Sequence, residues 1–469
     1  MITITRRQAR EIRAVFRRAL GISSRSAGPP LRIKAGPEGL SVRCRSSMAA
    51  VEFRQAGDLP QAQFAVPFGL LSDIEGGRPE PVTLEQDGDQ VVARWNNGQV
   101  PQIHRYDVGD DDDAAEFPTV PEKLAENDPR LLAALRSACE TTDKEATRYA
   151  LGCVQLRGDE GRIAATDGSQ LLVQAGFEFP WEGERLIPRS TVFASREFSN
   201  SEQAAIGADD EWVILRVGLW TLWFAVEREA RFPQIDDHLR NPADAPTTLR
   251  LTDADADFLQ QTIKQLPVDD SFNDPVTVDL KGEVVVRGRA AEKAVPTELV
   301  LSNSTVVGEF LRFNTNRKFL ARALKLGFRE ISLFGPEAPV VCRDTHRDYV
   351  WMVLDAKGAI ATHPDAVRIV SGAAATSPPP PPAERNETTM SKTPSDRNDR
   401  SRTNGNTTSK QAATTEESPL QQAEALQQTL QQALSQTRAL ATTLRKRKKQ
   451  SQLMKSTLAS LRKLQTVDV

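Results

Sequence analysis

The sequence predicts an α+β protein of three tandem units with mainly antiparallel sheets, followed by a linker and a helical tail. Two recurring markers and one change of composition predict it. A short strand ending in a turn and entering an amphipathic helix occurs as "FAVPFGLLSDI" (64–74), "RLIPRSTVFASR" (185–196) and "LRFNTNRKFLARAL" (311–324). Anchored on Pro67, Pro188 and Asn314, the copies lie 121 and 126 residues apart. A second marker, "EFPTV" around Pro118 and "RFPQI" around Pro233, recurs 115 residues on. Near residue 371 the large apolar residues give way to Pro, Ser, Thr and Asn. The expected units are 1–119, 120–243 and 244–370, then a linker over 371–418 and a helix over 419–466.

Each unit opens with a helical stretch, "RRQAREIRAVFRRAL", "DPRLLAALRSACET" and "DADFLQQTIKQL" in turn. Alternating stretches such as "LRIKAG", "GLSVRC" and "WVILRVGLWTLWFAV" read as strands. Helices and strands mix without regular βαβ alternation, which favours antiparallel pairing. The expectation is two helices packed on antiparallel sheets in each unit.

The first helix carries the clearest charge signal. Thr5 is the expected N-cap, with Gln8 three residues on. At about 100° per residue, Arg6, Arg10, Arg13 and Arg17 share one stripe, and Ile12, Val15, Phe16 and Ala19 lie opposite. Such a stripe is either a solvated face or a set of phosphate contacts. Lys318, Arg322 and Lys325 repeat the pattern at i, i+4 and i+7, while Leu320 and Leu324 point elsewhere.

The tail from 371 carries 15 Lys+Arg against 8 Asp+Glu, which leaves residues 1–370 at −10 of the overall −3. Its first part cannot bury enough apolar surface to offset the entropy of ordering, and is expected to be disordered. Pro378–Pro382 is either a stiff spacer or a ligand for a proline-binding domain. After Pro419, Leu426, Leu430, Ala433, Leu440, Leu444, Met454, Leu458 and Leu461 follow an interrupted heptad, suited to self-association or a partner helix. "RKRKK" (445–449) within it is a DNA-touching patch or a solvated face.

Several classes are disfavoured. No apolar run is long enough to span a membrane, and the N-terminal stretch lacks the apolar core of a secretory signal. Cys44, Cys139, Cys153 and Cys342 form no CxxC, and the four histidines share no ligand spacing, so neither metal nor cofactor is expected. No nucleophile motif, phosphate loop or dinucleotide fingerprint is present, which points away from an enzyme. The Asp110–Asp113 run reads as a solubilising loop.

Five motifs in register resemble the bacterial sliding clamp, the β subunit of DNA polymerase III. They are "RYALGCVQLRGDEGRIAATDGSQLLV", "RLIPRSTV", "RFPQIDDHL", "FNTNRKFLARAL" and "YVWMVLDA", and the likeness covers 1–357. It implies three clamp domains in each chain and a cytoplasmic, nucleoid-associated homodimer. Two chains would close head to tail around duplex DNA, contacting it without sequence preference, with no bond cleavage. Helix-borne Arg6, Arg10, Arg13, Arg17, Arg189, Arg196, Lys318, Arg322 and Lys325 would face the DNA. A hydrophobic groove for polymerase and clamp-loader peptides would use Leu151, Thr166, Gly168, Ser169, Gln170, Leu171, Asn316, Phe319, Pro339, Val350, Trp351, Met352, Val353 and Leu354. By residues alone, Asp167-Gly168 reads as a type I′ hairpin turn with core apolars around it, and it is the resemblance that places the groove there. The tail lies outside the family pattern. A competing reading is a clamp-fold scaffold that no longer encircles DNA and acts through its coiled-coil tail.

Overall fold

The first repeat begins with β1 (Ile2–Thr5), α1 (Arg6–Ala19), β2 (Leu31–Gly36), β3 (Gly39–Arg45), β4 (Ala49–Gln55) and β5 (Ala62–Val66). It ends with α2 (Gly69–Ile74), β6 (Pro81–Asp87), β7 (Gln90–Asn97) and β8 (Val100–Asp107). The second holds β9 (Ala125–Asn127), α3 (Arg130–Thr141), β10 (Cys153–Arg157), β11 (Arg162–Thr166), β12 (Gln170–Ala175) and β13 (Glu184–Pro188). It continues through β14 (Ala204–Ala208), β15 (Trp212–Val217) and β16 (Trp220–Ala225). The third holds β17 (Thr247–Arg250), α4 (Asp253–Thr262), β18 (Pro275–Asp279), β19 (Val284–Gly288), β20 (Thr297–Leu301), β21 (Thr305–Gly308) and β22 (Arg312–Asn316). It closes with α5 (Arg317–Lys325), β23 (Glu330–Leu333), β24 (Val340–Arg343), β25 (Arg347–Trp351) and β26 (Val367–Val370). This computed structural model describes residues 1–372 except 24, 110–116, 146–149, 200, 269–272 and 291–294. The aspartate run at 110–113, the linker beyond residue 372 and the coiled-coil helix therefore lie outside the described residues.

Four sheets result. Their orders are β1-β6-β7-β8, β5-β2-β3-β4-β16-β15-β14-β9, β13-β10-β11-β12-β25-β24-β23-β17-β21 and β22-β18-β19-β20-β26. The two long sheets each draw strands from adjacent repeats. β4 pairs antiparallel with β16, and β12 with β25. Backbone ladders thus run across both joints of the chain, which ties neighbouring repeats by hydrogen bonds as well as by packing.

α1 forms as its sequence indicates. Gln8 N donates to Thr5 Oγ1 at 3.1 Å and Thr5 N donates to Gln8 Oε1 at 2.8 Å, a reciprocal capping box. Ala9, Ile12, Val15, Phe16 and Ala19 are buried in a core that runs through the first and second repeats. Each of the three large side chains contributes about 1.5–3 kcal/mol of transfer free energy, before the entropy of ordering. The third repeat has its own core, into which α5 sends Leu320 and Leu324.

The expected pair of helices per repeat is only partly realised. In the first repeat the second helix is six residues long and ends before Gly76-Gly77. In the second, residues after Pro188 form two 3₁₀ turns, Val192–Ala194 and Arg196–Phe198, instead of an α-helix. Ser195 between them is extended (φ −72°, ψ 132°). Serines, threonine and valine dominate this stretch, and the hydroxyl of Ser190 bonds locally to Val192 N, so short turns compete well with a helix.

Candidate functional site

β11 and β12 form the hairpin that carries Thr166-Asp167-Gly168-Ser169. Thr166 pairs with Leu171 across it, and residues 167–169 lie between the two strands. Only Gly168 in that loop has positive φ, at 88°. A type I′ turn needs positive φ at two central residues, so the hairpin is not of that type. Side chains shape it instead. Asp167 Oδ1 accepts from Ser169 N at 2.8 Å and Gln170 N at 2.9 Å, and Thr166 Oγ1 donates to Gln170 O at 2.7 Å while accepting from Gly168 N at 3.0 Å. Ser169 O then accepts from Met352 N at 2.9 Å, and Tyr349 Oη donates to Gln170 Oε1 at 2.7 Å. The loop is thereby fixed to β25 and the residue after it. Burial pushes the Tyr349 phenol well above its usual range, so it remains a donor.

Beside this loop lies a cavity of about 320 Å³ lined by Leu151, Thr166, Gly168, Ser169, Gln170, Leu171, Pro339, Val350, Trp351 and Met352, all expected in the groove. Pro233, Gln234, Ile235 and His238 complete it. They belong to "RFPQIDDHL", which stood in the sequence as a recurring marker and a family-like motif and not among the expected groove residues. The floor is a separate apolar cluster that includes Ala164, Leu171, Val173, Phe232, Ile235, Val341 and Val350, joining the second and third repeats. Met352 stands at the rim, 47 % exposed.

Four expected groove residues lie outside the cavity lining. Asn316 caps α5 by accepting from Lys318 N at 2.8 Å, and Phe319 packs against the third-repeat core. Val353 packs against the same core, and Leu354 forms an isolated bridge with Asn314. Chain proximity to Trp351 and Met352 put Val353 and Leu354 in the expected set, but strand β25 ends at Trp351 and the backbone turns toward β22.

The expected DNA-facing cations divide into tethered and open groups. Arg6 is held by Glu80 at 2.9 Å and by the carbonyls of Ile74 and Glu75. Arg13 bonds Ser72 at 2.8 Å and Glu75 at 3.0 Å, and Arg17 donates to Ile22 O at 3.4 Å. The α1 stripe lacks acids of its own, but Glu75 and Glu80, in the segment between α2 and β6, supply them. Arg322 donates to Ser137 O and Thr141 Oγ1, both at 2.7 Å, and with Lys325 reaches Glu140 on α3. Burial alone would raise the Glu140 carboxyl, but Lys325, Arg136 and Arg322 outweigh it and hold it below the usual range. Arg10 and Arg196 are exposed, and Lys318, though paired with Asp274 at 2.5 Å, keeps its side chain 67 % exposed. Arg189 is half-buried, its backbone N bonded to Gly152 O.

The helical elements adjoin from repeat to repeat. Ser190 Oγ donates to the carbonyl of Arg18 at the end of α1, and Arg18 reaches Ser195 at 3.1 Å. Arg322 and Lys325 of α5 meet the end of α3. Arg196 and Lys325 line one depression of about 610 Å³ between these elements, together with Arg136 and Glu140. Among the described residues no group of three or more His, Cys, Asp or Glu is placed to hold a metal, and no helix is long and apolar enough to cross a membrane.

No family model and no curated protein sequence matches the chain. Solved structures do. The DNA polymerase III sliding clamp of Pseudomonas aeruginosa bound to griselimycin matches at 14% identity and TM-score 0.64, over 76% of this chain and 99% of that one. Another structure of the β subunit from the same organism matches at 14% identity and TM-score 0.61, again over 76% and 99%. The β subunit of Thermotoga maritima matches at 16% identity and TM-score 0.62, over 76% and 99%. At such identities the likeness is one of fold: the described part of this chain has the fold of the bacterial DNA polymerase III β subunit, the sliding clamp.

Proposed function

We propose that the chain is a DNA sliding clamp, of which two copies close head to tail around duplex DNA. The observation that carries this reading is the continuous set of helical elements. It crosses both joints of the chain and presents Arg10, Arg196, Lys318 and Lys325 to solvent. Contacts from such cations to phosphates carry no sequence information, so a ring held by them can move along the duplex. The groove supplies the second half of the activity. Its walls are largely Leu, Ile, Val, Trp, Met and Pro, with Thr166, Ser169, Gln170, Gln234 and His238 as polar groups, a lining suited to a short apolar peptide. A polymerase or clamp-loader peptide bound there is kept near the template, and its rebinding becomes effectively intramolecular. The reading is of a non-catalytic accessory protein.

The test is retention on closed circular DNA against the same DNA linearised. A clamp is retained on the circle and lost from the ends of the linear form. Reversing two open cations, Arg10→Glu with Arg196→Glu, lowers retention and leaves the unfolding midpoint unchanged. Unaltered retention would remove the helical face as the DNA contact. Equal loss from circle and line would leave the alternative, a clamp-fold scaffold acting through its tail.

A further inference from the structure

The repeats obey a joint rule. Half-sheet β5-β2-β3-β4 ends at β4, which pairs with β16, the last strand of β9-β14-β15-β16. Half-sheet β13-β10-β11-β12 ends at β12, which pairs with β25, the last strand of the next half-sheet. In the third repeat β22-β18-β19-β20 has the same order, so β20 holds the place of β4 and β12. In the first repeat β8 ends β1-β6-β7-β8 and holds the place of β16 and β25, with no strand beyond it among the described residues. The place beside β20 is taken by β26, in the one parallel pairing among the described strands.

β26 is built into the sheet. Val367 N donates to Pro296 O at 3.1 Å and Ser371 N to Val300 O at 2.9 Å. Ser302 N donates to Ser371 Oγ at 3.0 Å, and Ser302 Oγ to Ser371 O at 3.1 Å. Arg368 pairs with Glu283 and reaches Glu298, which also holds the buried Arg287. Yet Val367, Ile369 and Val370 are 58%, 44% and 56% exposed. Val367 and Ile369 stand opposite Thr297 and Leu299, on the face where Leu299 enters the core. An apolar pair on the core side of an edge strand is a core layer without its cover. β8 also exposes apolar side chains, Val100 and Ile103 at 59% each, one on either face of the strand. Edges that remain unpaired are usually blunted by charge or proline, and the single charge of β26 is already paired.

We infer that the outer edge of β26 receives β8 of a second copy of this chain, so the seam between copies holds one strand more than the joints within each. This rests on the ring reading above. The directions agree: β26 runs parallel to β20, so a β8 antiparallel to it has the sense that β16 has to β4. The added strand widens each seam by about 4.8 Å. Val367 and Ser371 send their N–H groups to β20, so by alternation Ile369 does too, while Arg368 and Val370 turn theirs outward.

The experiment is hydrogen exchange and solution mass of the full chain across a dilution series, for the unaltered protein, Val370→Pro, Ile369→Pro and Val100→Asp. We expect the amides of Arg368 and Val370, and those of β8 that point away from β7, to be protected only in the dimer. Val370→Pro, which removes an outward donor, and Val100→Asp, on the opposite strand, each weaken the dimer about tenfold or more. A Val370→Pro protein that dimerises as tightly as the unaltered one overturns the inference. So does tighter dimerisation by Ile369→Pro, which would make β26 a plug over β20. Retention on circular DNA with the Arg368 and Val370 amides unprotected sinks this seam and leaves the ring; absence of retention sinks the ring and the seam with it.

Discussion

Gly168 sets the shape of the groove loop, and replacing it isolates the cost of that shape. Its φ of 88° lies where side chains other than glycine are strained. A Cβ built there meets only Leu151 Cδ1, at 3.9 Å, an ordinary contact. Gly168→Ala therefore costs conformational energy and almost no steric energy, about 1–2 kcal/mol. That is roughly a 5–30-fold shift in the folding equilibrium of the repeat that holds the loop. Gly168→Asn should cost less, because asparagine tolerates the left-handed region. Urea unfolding of the three proteins, followed at the second repeat by hydrogen exchange, measures both differences. Alanine equal to glycine, or asparagine no better than alanine, would refute the argument that backbone conformation fixes this residue.

Three further outcomes follow from the same structure. Asp279 is buried between Arg287 and Arg312, both at 2.6 Å. Burial would raise its carboxyl, but the two guanidinium bonds outweigh this and hold it below the usual range. Its stabilisation is present above the unfolded value near pH 4 and is lost as pH falls through the folded one. Asp279→Asn should cost about 3 kcal/mol at pH 7 in denaturant midpoints, and less as the pH drops below about 4. Burial also pushes the thiols of Cys139 and Cys153 up to about 11 and that of Cys44 up to about 12. A disulfide reagent at pH 8 should find almost no reactive thiol in the native protein and four in denaturant. Met352→Ala should weaken an apolar groove peptide about fivefold to tenfold in fluorescence titration while leaving the unfolding midpoint in place, since this rim side chain is already 47 % exposed.

Much of the fold was legible because it depends on local pattern. The α1 capping box, its buried Ile12 and Phe16, and the strand pair flanking Thr166-Asp167-Gly168 all follow from residues close in sequence. The second-repeat helix was misread because Pro188-Arg-Ser-Thr-Val gives a helical apolar spacing, while hydroxyl side chains favour short turns. The arginine stripe was legible as a face, but Glu75 and Glu80, which hold Arg13 and Arg6, lie some sixty to seventy residues away. Phe232-Pro233-Gln234-Ile235 was visible as a repeated marker, while its place in the groove wall depended on how the second repeat packs against the third.

What the sequence determined by itself was the repeat, the α1 cap and the apolar faces, because capping and periodicity act over a few residues. What only the tertiary structure decided was which cations remain open, which segments wall the groove, and which strand stands at each free edge. Those depend on partners brought together across tens or hundreds of residues: Arg322 finds the end of α3, Met352 finds Ser169, and β26 finds β20. Hydrogen bonds and ion pairs of that kind leave no period in the chain, so they appear only when the repeats are packed.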